Sequence, residues 1–192
     1  MINVISKPKK FGVKNNHLTK HHTYVKINEK GCDAQMFFVI IAGMLFVADT
    51  IIKHKIEKNI SFGEIKEIFN NKLIIKKYHN TGAMLSAGAK RQNIVALISL
   101  AFTAFMSGIF VATLGLKGKT LLKTGLALIL GGAFSNTYDR LARKYVVDYV
   151  AFKVDSKCKL LRRFQNVIFN ISDFGIIIGA VLLVINELKE AD

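Results

Sequence analysis

The chain has 192 residues, 51% of them hydrophobic, with a single proline, Pro8, and a net charge of +15. Its mean hydropathy of +0.32 and the gathering of apolar residues into long runs exclude an ordinary soluble domain, because a run of about 18 or more apolar residues can cross a bilayer core. The basic residues flank those runs, which points to anionic lipid headgroups and not nucleic acid as the partner of the charge.

Residues 1–33 are polar and basic without apolar periodicity, and they read as a flexible tail. Cys32 follows Glu29-Lys30-Gly31 and lacks the apolar stretch that precedes a lipidated cysteine, so the chain does not read as a lipoprotein precursor itself. With Cys158 as the other cysteine, in a late polar loop, there is neither metal-type spacing nor a disulfide framework. A first span is predicted from about Ala34 to Ile52, with Asp49 its only charge before Lys53. Residues 53–91 are mixed, with a β-like run at Leu73–Tyr78 ahead of Asn80-Thr81-Gly82-Ala83, and form a small extramembrane platform. Further spans are predicted over about Gln92–Leu114, Leu121–Tyr138 and Phe169–Ile185, with a tight Gly115–Lys119 turn between the second and third and a polar loop before the fourth. No tryptophan is present, so the interfacial belt falls to Tyr24, Tyr78, Tyr138, Tyr145 and Tyr149. Gly175 and Gly179 make a small-xxx-small pair suited to close helix packing in the fourth span.

Ionisable groups in or at the ends of spans are costly and are functional candidates by default. Here they are Asp49, Asp139, Arg140, Asp148 and Asp173, and a four-span topology carries all of them to one membrane face. Asn136 and Arg140 are four residues apart and Asn170 and Asp173 three, which places each pair on one face of a continuous helix. Asp49 and Lys53 have the spacing of an ion pair that finishes a span at the interface. Two carboxylates held close can share one proton, and such a pair hydrolyses a peptide by acid–base catalysis, with neither metal nor covalent intermediate. No Ser-His or Cys-His set competes: His79 has no evident serine or cysteine partner, and His21, His22 and His54 lie in basic stretches.

The blocks Asn80-Thr81-Gly82-Ala83, Gly131-Gly132-Ala133-Phe134-Ser135-Asn136-Thr137-Tyr138-Asp139-Arg140, Val146-Val147-Asp148-Tyr149 and Phe169-Asn170-Ile171-Ser172-Asp173 resemble, in order and spacing, those of the bacterial lipoprotein signal peptidases (signal peptidase II). Asp49 with Lys53 is similar to the remaining block, so the resemblance covers about Met44 to Ile185. It implies a membrane aspartyl endopeptidase whose catalytic residues are Asp148 and Asp173. Asn80, Gly82, Asn136, Arg140 and Asn170 would line the site, and Asp49, Lys53 and Asp139 would support it, Asp139 by bracing Arg140. It implies cleavage before a diacylglyceryl-modified cysteine, no cofactor or metal, and lipid-modified precursors and membrane lipids as partners. The setting it implies is the bacterial cytoplasmic membrane, with cytoplasmic termini and a site facing outward, whereas the count of basic residues in the loops is contradictory.

Three places depart from the family pattern: Met84-Leu85-Ser86 where Ala-Phe-Ser is usual, Ser135 where Gly is usual, and Ser172 where Ala is usual. They mark a divergent member and bear on substrate range, and a hydroxyl at Ser172 is placed to hydrogen-bond near the dyad and alter its proton sharing. The sequence thus predicts an all-α integral membrane protein: a basic cytoplasmic tail at 1–33, then a four-helix transmembrane peptidase domain at 34–192 with a small extracytoplasmic β-containing platform. Rival readings are a non-catalytic or re-purposed relative that binds lipidated precursors, and a small proton or cation transporter using intramembrane carboxylates. The transporter predicts acidic groups at mid-span, whereas these sit at one end. A basic surface adaptor would leave the aspartate–asparagine blocks unexplained.

Overall fold

The computed structural model describes residues 29–70, 72–82, 91–153 and 167–191. The expectations for residues 1–28, for Met84-Leu85-Ser86 and for Cys158 lie outside them. The elements in chain order are α1 (Glu29–Asn59), β1 (Ile65–Ile68), β2 (Leu73–Asn80), α2 (Gln92–Leu114), α3 (Thr120–Ala142), β3 (Val146–Phe152), β4 (Ile168–Phe169) and α4 (Ile171–Ala191). The chain is an integral membrane protein, and its described residues form four helices and a small sheet. Among the described residues, three helices are long and apolar enough to cross a membrane: Gln35–Asn59, Gln92–Leu114 and Ile171–Ala191.

The remaining helix, α3, is the centre of the bundle and packs against α1, α2 and α4. It carries Lys123, Ser135, Asn136, Thr137 and Asp139, all buried, and these polar side chains lower its apolarity because they face other helices and not lipid. Small residues let its neighbours close in. A Cβ on Gly132 would lie 2.5 Å from the Ser172 carbonyl oxygen, and one on Gly179 would lie 2.5 Å from that of Gly125. The expected small-xxx-small pair therefore sits at packing contacts, Gly179 against α3 and Gly175 against Leu45 of α1.

The end of the first helix differs from the expected boundary. The first helix does not stop at Lys53 but continues to Asn59, because Asp49 and Lys53 are buried, not interfacial, and the next turns have a core of their own to join. Ile56 and Ile60 pack with Val147 and Tyr149 of β3. At 1.5 Å per residue the 31-residue helix is about 46 Å long, more than the bilayer core needs, so its end stands in the platform.

The platform is more than the single β-like run expected. It is a four-stranded antiparallel sheet in the order β1-β2-β3-β4, and the segment read as a polar loop after α3 contains two of the strands. Between β2 and β3, Leu73, Ile74 and Ile75 pair with Phe152, Ala151 and Val150. After a bulge, Tyr78, His79 and Asn80 pair with Asp148, Val147 and Val146. Because side chains alternate along a strand, Val147 and Tyr149 turn to α1 while Val146 and Asp148 turn the other way, into the cleft between α2, α3 and α4. Phe152, Phe169 and Phe174, with ring centroids 5.7–6.1 Å apart, close the β3–β4 side.

Candidate active site

The sheet and the bundle meet where β3 passes the start of α4. Asn170 precedes α4 and caps it: its Oδ1 accepts the Asp173 N–H at 3.0 Å, and Asp173 Oδ2 accepts the Asn170 N–H at 3.0 Å. This reciprocal capping arrangement replaces the expected pair on one helix face, and it fixes the Asp173 carboxylate in the first turn. The cap reaches β3 as well, since Asn170 Nδ2 donates to Asp148 Oδ1 at 2.7 Å and to Asn136 Oδ1 at 3.2 Å. Asn80, at the end of β2, donates its amide to the other Asp148 oxygen at 3.0 Å. Asn136 of α3 donates to Asp173 Oδ1 at 3.0 Å. One asparagine therefore touches both aspartates, and each carboxylate has a second amide of its own.

Asp148 is buried, and burial followed by the charge of Asp173 pushes its carboxyl up to about 7, against hydrogen bonds from Asn170 and Asn80 and the charge of Lys53, which pull it down. It therefore exchanges its proton near neutrality, as a group sharing a proton with a neighbouring carboxylate would.

Asp49, Lys53 and Asp139 form a second, fully buried layer behind the pair. Lys53 Nζ is 2.7 Å from Asp49 Oδ2, 3.2 Å from Asp139 Oδ2 and 2.9 Å from Asn136 Oδ1. By occupying the Asn136 oxygen, Lys53 and Asn170 leave the Asn136 amide to point at Asp173. Asp139 is spent on Lys53, on the Val147 N–H at 3.3 Å and on Arg143 at 3.5 Å. It reaches Arg140 only as a longer-range attraction, so the expected bracing of Arg140 is replaced by bracing of Lys53 and of the start of β3.

The two serine departures converge on one atom. Ser135 and Ser172 both donate to Asp49 Oδ2, at 2.6 and 2.5 Å. Ser172 thus serves the buried ion pair, and the expectation that its hydroxyl acts on the dyad is corrected. Tyr149, expected in the interfacial belt, is buried: its hydroxyl donates to Asp49 Oδ1 and accepts the Ile171 N–H, both at 3.0 Å. Burial and the nearby Asp49 push this phenol up, so it stays a donor. Sequence reasoning missed this role, although strand alternation beside Asp148 was a signal for it.

Arg140 holds two backbone carbonyls, Gly82 O at 3.2 Å and Asn136 O at 3.4 Å, while its buried Nε has no hydrogen-bond partner among the described residues. It thereby pins the chain leaving β2 to α3. Because a lysine cannot reproduce a planar fork that spans two carbonyls, Arg140→Lys is expected to lower kcat/KM of any reaction at this site about tenfold or more. Equal rates for the two proteins would make Arg140 an interfacial anchor only.

The site opens into a cavity of about 310 Å³. Asn80, Asn136, Arg140, Asp148 and Asp173 line its polar end, and Phe102, Ile176 and Ile177 are among the apolar side chains lining the rest. Hydroxyls of Thr103 and Thr137, 2.9 Å apart, bridge α2 and α3 on its wall. All the residues singled out in the sequence are thus brought together: Asp148, Asp173, Asn80, Asn136, Asn170, Arg140 and Gly82 around the cavity, and Asp49, Lys53 and Asp139 behind it.

The family model for signal peptidase (SPase) II matches residues 41–189. Two solved structures, each described as a bacterial membrane enzyme structure by the in meso method, at 2.3 and 1.9 Å resolution, share the fold. They superpose with TM-scores of 0.68 and 0.65 at 22% identity, covering 81% and 80% of this chain and 90% and 93% of theirs. The family match spans every residue of the site, from Asp49 to Asp173, and the chain belongs to the signal peptidase II family of lipoprotein-processing membrane proteases.

Proposed function

We propose that the chain is an aspartyl endopeptidase that removes the signal peptide of diacylglyceryl-modified precursors by cutting before the lipidated cysteine, with Asp148 and Asp173 as its catalytic pair. The observation that carries this reading is the bridging by Asn170 of two carboxylates that line a cavity with polar side chains at one end and apolar ones along the rest. Asp173 sits in the first turn of α4, where the helix dipole favours an anion, and takes a proton from the attacking water. Asp148, which holds its proton up to about pH 7, donates to the scissile carbonyl. Asn80, Asn136 and Asn170 keep the two carboxylates in register, and Arg140 with the Gly82 backbone receives the extended peptide. The partners are lipid-modified precursors in the bacterial cytoplasmic membrane, with the termini cytoplasmic and the site outward.

The lipid is expected to be read, not incidental. Acyl chains partition into the bilayer at about 0.8 kcal/mol per buried CH₂, concentrating the substrate and fixing the depth of its scissile bond, and the apolar end of the cavity can receive them. Purified protein should cut a precursor peptide bearing a diacylglyceryl cysteine and leave its unlipidated counterpart intact, as read by product mass. Equal cleavage of both in matched detergent would remove lipid recognition from the reading.

The orientation has a separate test. In intact cells, membrane-impermeant thiol reagents should label Cys158 and spare Cys32. The opposite pattern would put Asp148 and Asp173 on the cytoplasmic side, out of reach of a translocated precursor.

A further inference from the structure

We propose that His79, outside the cavity, is a positioning residue for the aspartate pair: by binding Glu57 and stacking on Tyr145 on one face of β2, it holds Asn80 against Asp148 on the other. The proposal rests on the reading of Asp148 as one of the catalytic pair. His79 Nε2 lies 2.5 Å from Glu57 Oε1 of α1. The imidazole stacks on Tyr145, in the connection from α3 to β3, with centroids 3.7 Å apart and planes 18° from parallel. Phe62, in the turn after α1, meets the imidazole edge-to-face with centroids 4.7 Å apart. Lys77 reinforces the corner, donating to the Glu57 carbonyl at 3.1 Å and lying 4.7 Å from the Phe62 ring centroid. One ring thus ties together the end of α1, the turn after it, β2 and the approach to β3.

Such an anchor is needed because β2 is weakly registered here. The bulge between Ile75 and Tyr78 leaves Tyr78, His79 and Asn80 as a short paired stretch against Asp148, Val147 and Val146. A slip of one residue would turn Asn80 away from the site. His79 and Asn80 are adjacent and face opposite ways, so whatever fixes the first aims the second. The charged and titratable groups facing His79 are Glu57 from α1, Lys77 from β2 and Tyr145, which Arg143 and Asp139 reach electrostatically. Those acting on Asp148 are Asp173 from α4, Lys53 from α1 and Arg140 from α3, together with the amides of Asn80 and Asn170.

The consequence is measurable at Asp148. Withdrawal of the Asn80 amide takes a donor from the ionised carboxylate, so the proton is held to higher pH. The experiment is a titration of the full-length protein in detergent micelles with carboxyl-¹³C aspartate, the Asp148 signal being assigned by its loss in Asp148→Asn. The midpoint is expected to rise by about one pH unit in His79→Phe, in Glu57→Gln and in Asn80→Ala. A bare charge effect would move the first two in opposite directions, since one can remove only positive charge and the other only negative. On a diacylglyceryl peptide, His79→Phe should lower kcat about tenfold with KM within about twofold. Midpoints unmoved in both His79→Phe and Glu57→Gln, opposite shifts in the two, no shift in Asn80→Ala, or a loss confined to KM would each overturn the proposal. Because the titration needs no turnover, a rise in midpoint without peptide cleavage would uphold His79 and sink the proposed reaction instead.

Discussion

Asp148→Asn is expected to leave a folded, membrane-inserted protein whose kcat is lowered about a thousandfold or more, and Asp173→Asn to do the same. The first removes the group that holds a proton up to about pH 7, the second the carboxylate fixed by the Asn170 cap. Because the pair acts as a unit, the double variant is expected to be scarcely slower than either single one. For wild type, kcat/KM on the lipidated peptide should fall as pH rises through about 7, where Asp148 loses its proton. Stability gives a second readout with a definite sign. The folded carboxyl of Asp148 is raised above its ordinary value, so its contribution is fully present below the unfolded pKa of about 3.8 and is lost as pH rises through about 7. An asparagine carries no such loss. The melting temperature of Asp148→Asn relative to wild type should therefore rise from pH 5 to 7 and then level off, on top of a pH-independent loss because an asparagine can accept from only one of the Asn80 and Asn170 amides. Near-normal turnover of either single variant would take that residue out of the mechanism, and a difference in melting temperature that stays flat from pH 5 to 8 would show that the folded carboxyl of Asp148 is not raised.

The helices were legible in the sequence because lipid-facing surfaces leave long apolar runs: α2 occupies the predicted Gln92–Leu114. The sheet was not, and β3 shows why. Val146, Val147, Asp148, Tyr149 and Ala151 are all buried, so the strand lacks the apolar–polar alternation that marks a half-exposed one, and the two residues of β4 are too few for any pattern. At Asn170 and Asp173 a three-residue spacing fits both one helix face and a capping box, and only the position of the helix start decides between them.

The site's membership was legible for an energetic reason: charged groups in apolar surroundings are costly and therefore rare, so Asp49, Asp139, Asp148 and Asp173 stood out unaided. Their pairing was not. Asp139 meets Lys53, 86 positions away, and Ser172 meets Asp49, 123 positions away, and no local spacing encodes such partners. Tyr149 failed for the opposite reason. An amphipathic ring suits an interface and a buried hydrogen bond equally, and composition alone does not separate them.

Lys53→Met should be strongly destabilising. Lys53 is the cation between Asp49 and Asp139, and all three side chains are at most 2% exposed. Removing one partner of a buried charge pair leaves an uncompensated charge, at a cost of about 3–5 kcal/mol. Asp49 keeps hydroxyls from Ser135, Ser172 and Tyr149, and Asp139 keeps Arg143 and the Val147 N–H, but these do not replace the lysine. Catalysis suffers separately, since Asn136 loses the shorter of the two donors on its oxygen and keeps only Asn170, so its amide is held less firmly on Asp173. The two effects can be parted by Asp49→Asn/Lys53→Met, which removes both charges of the closest pair. Its stability should recover most of the loss, because a buried pair replaced as a whole is often nearly neutral, while its turnover stays low because Asn136 still lacks the Lys53 donor. Thermal unfolding in detergent by circular dichroism, paired with rates on the lipidated peptide, reads both. A Lys53→Met protein as stable as wild type would mean that the buried carboxylates do not depend on this cation. A double variant that regains turnover along with stability would mean that Lys53 serves the fold and not the orientation of Asn136.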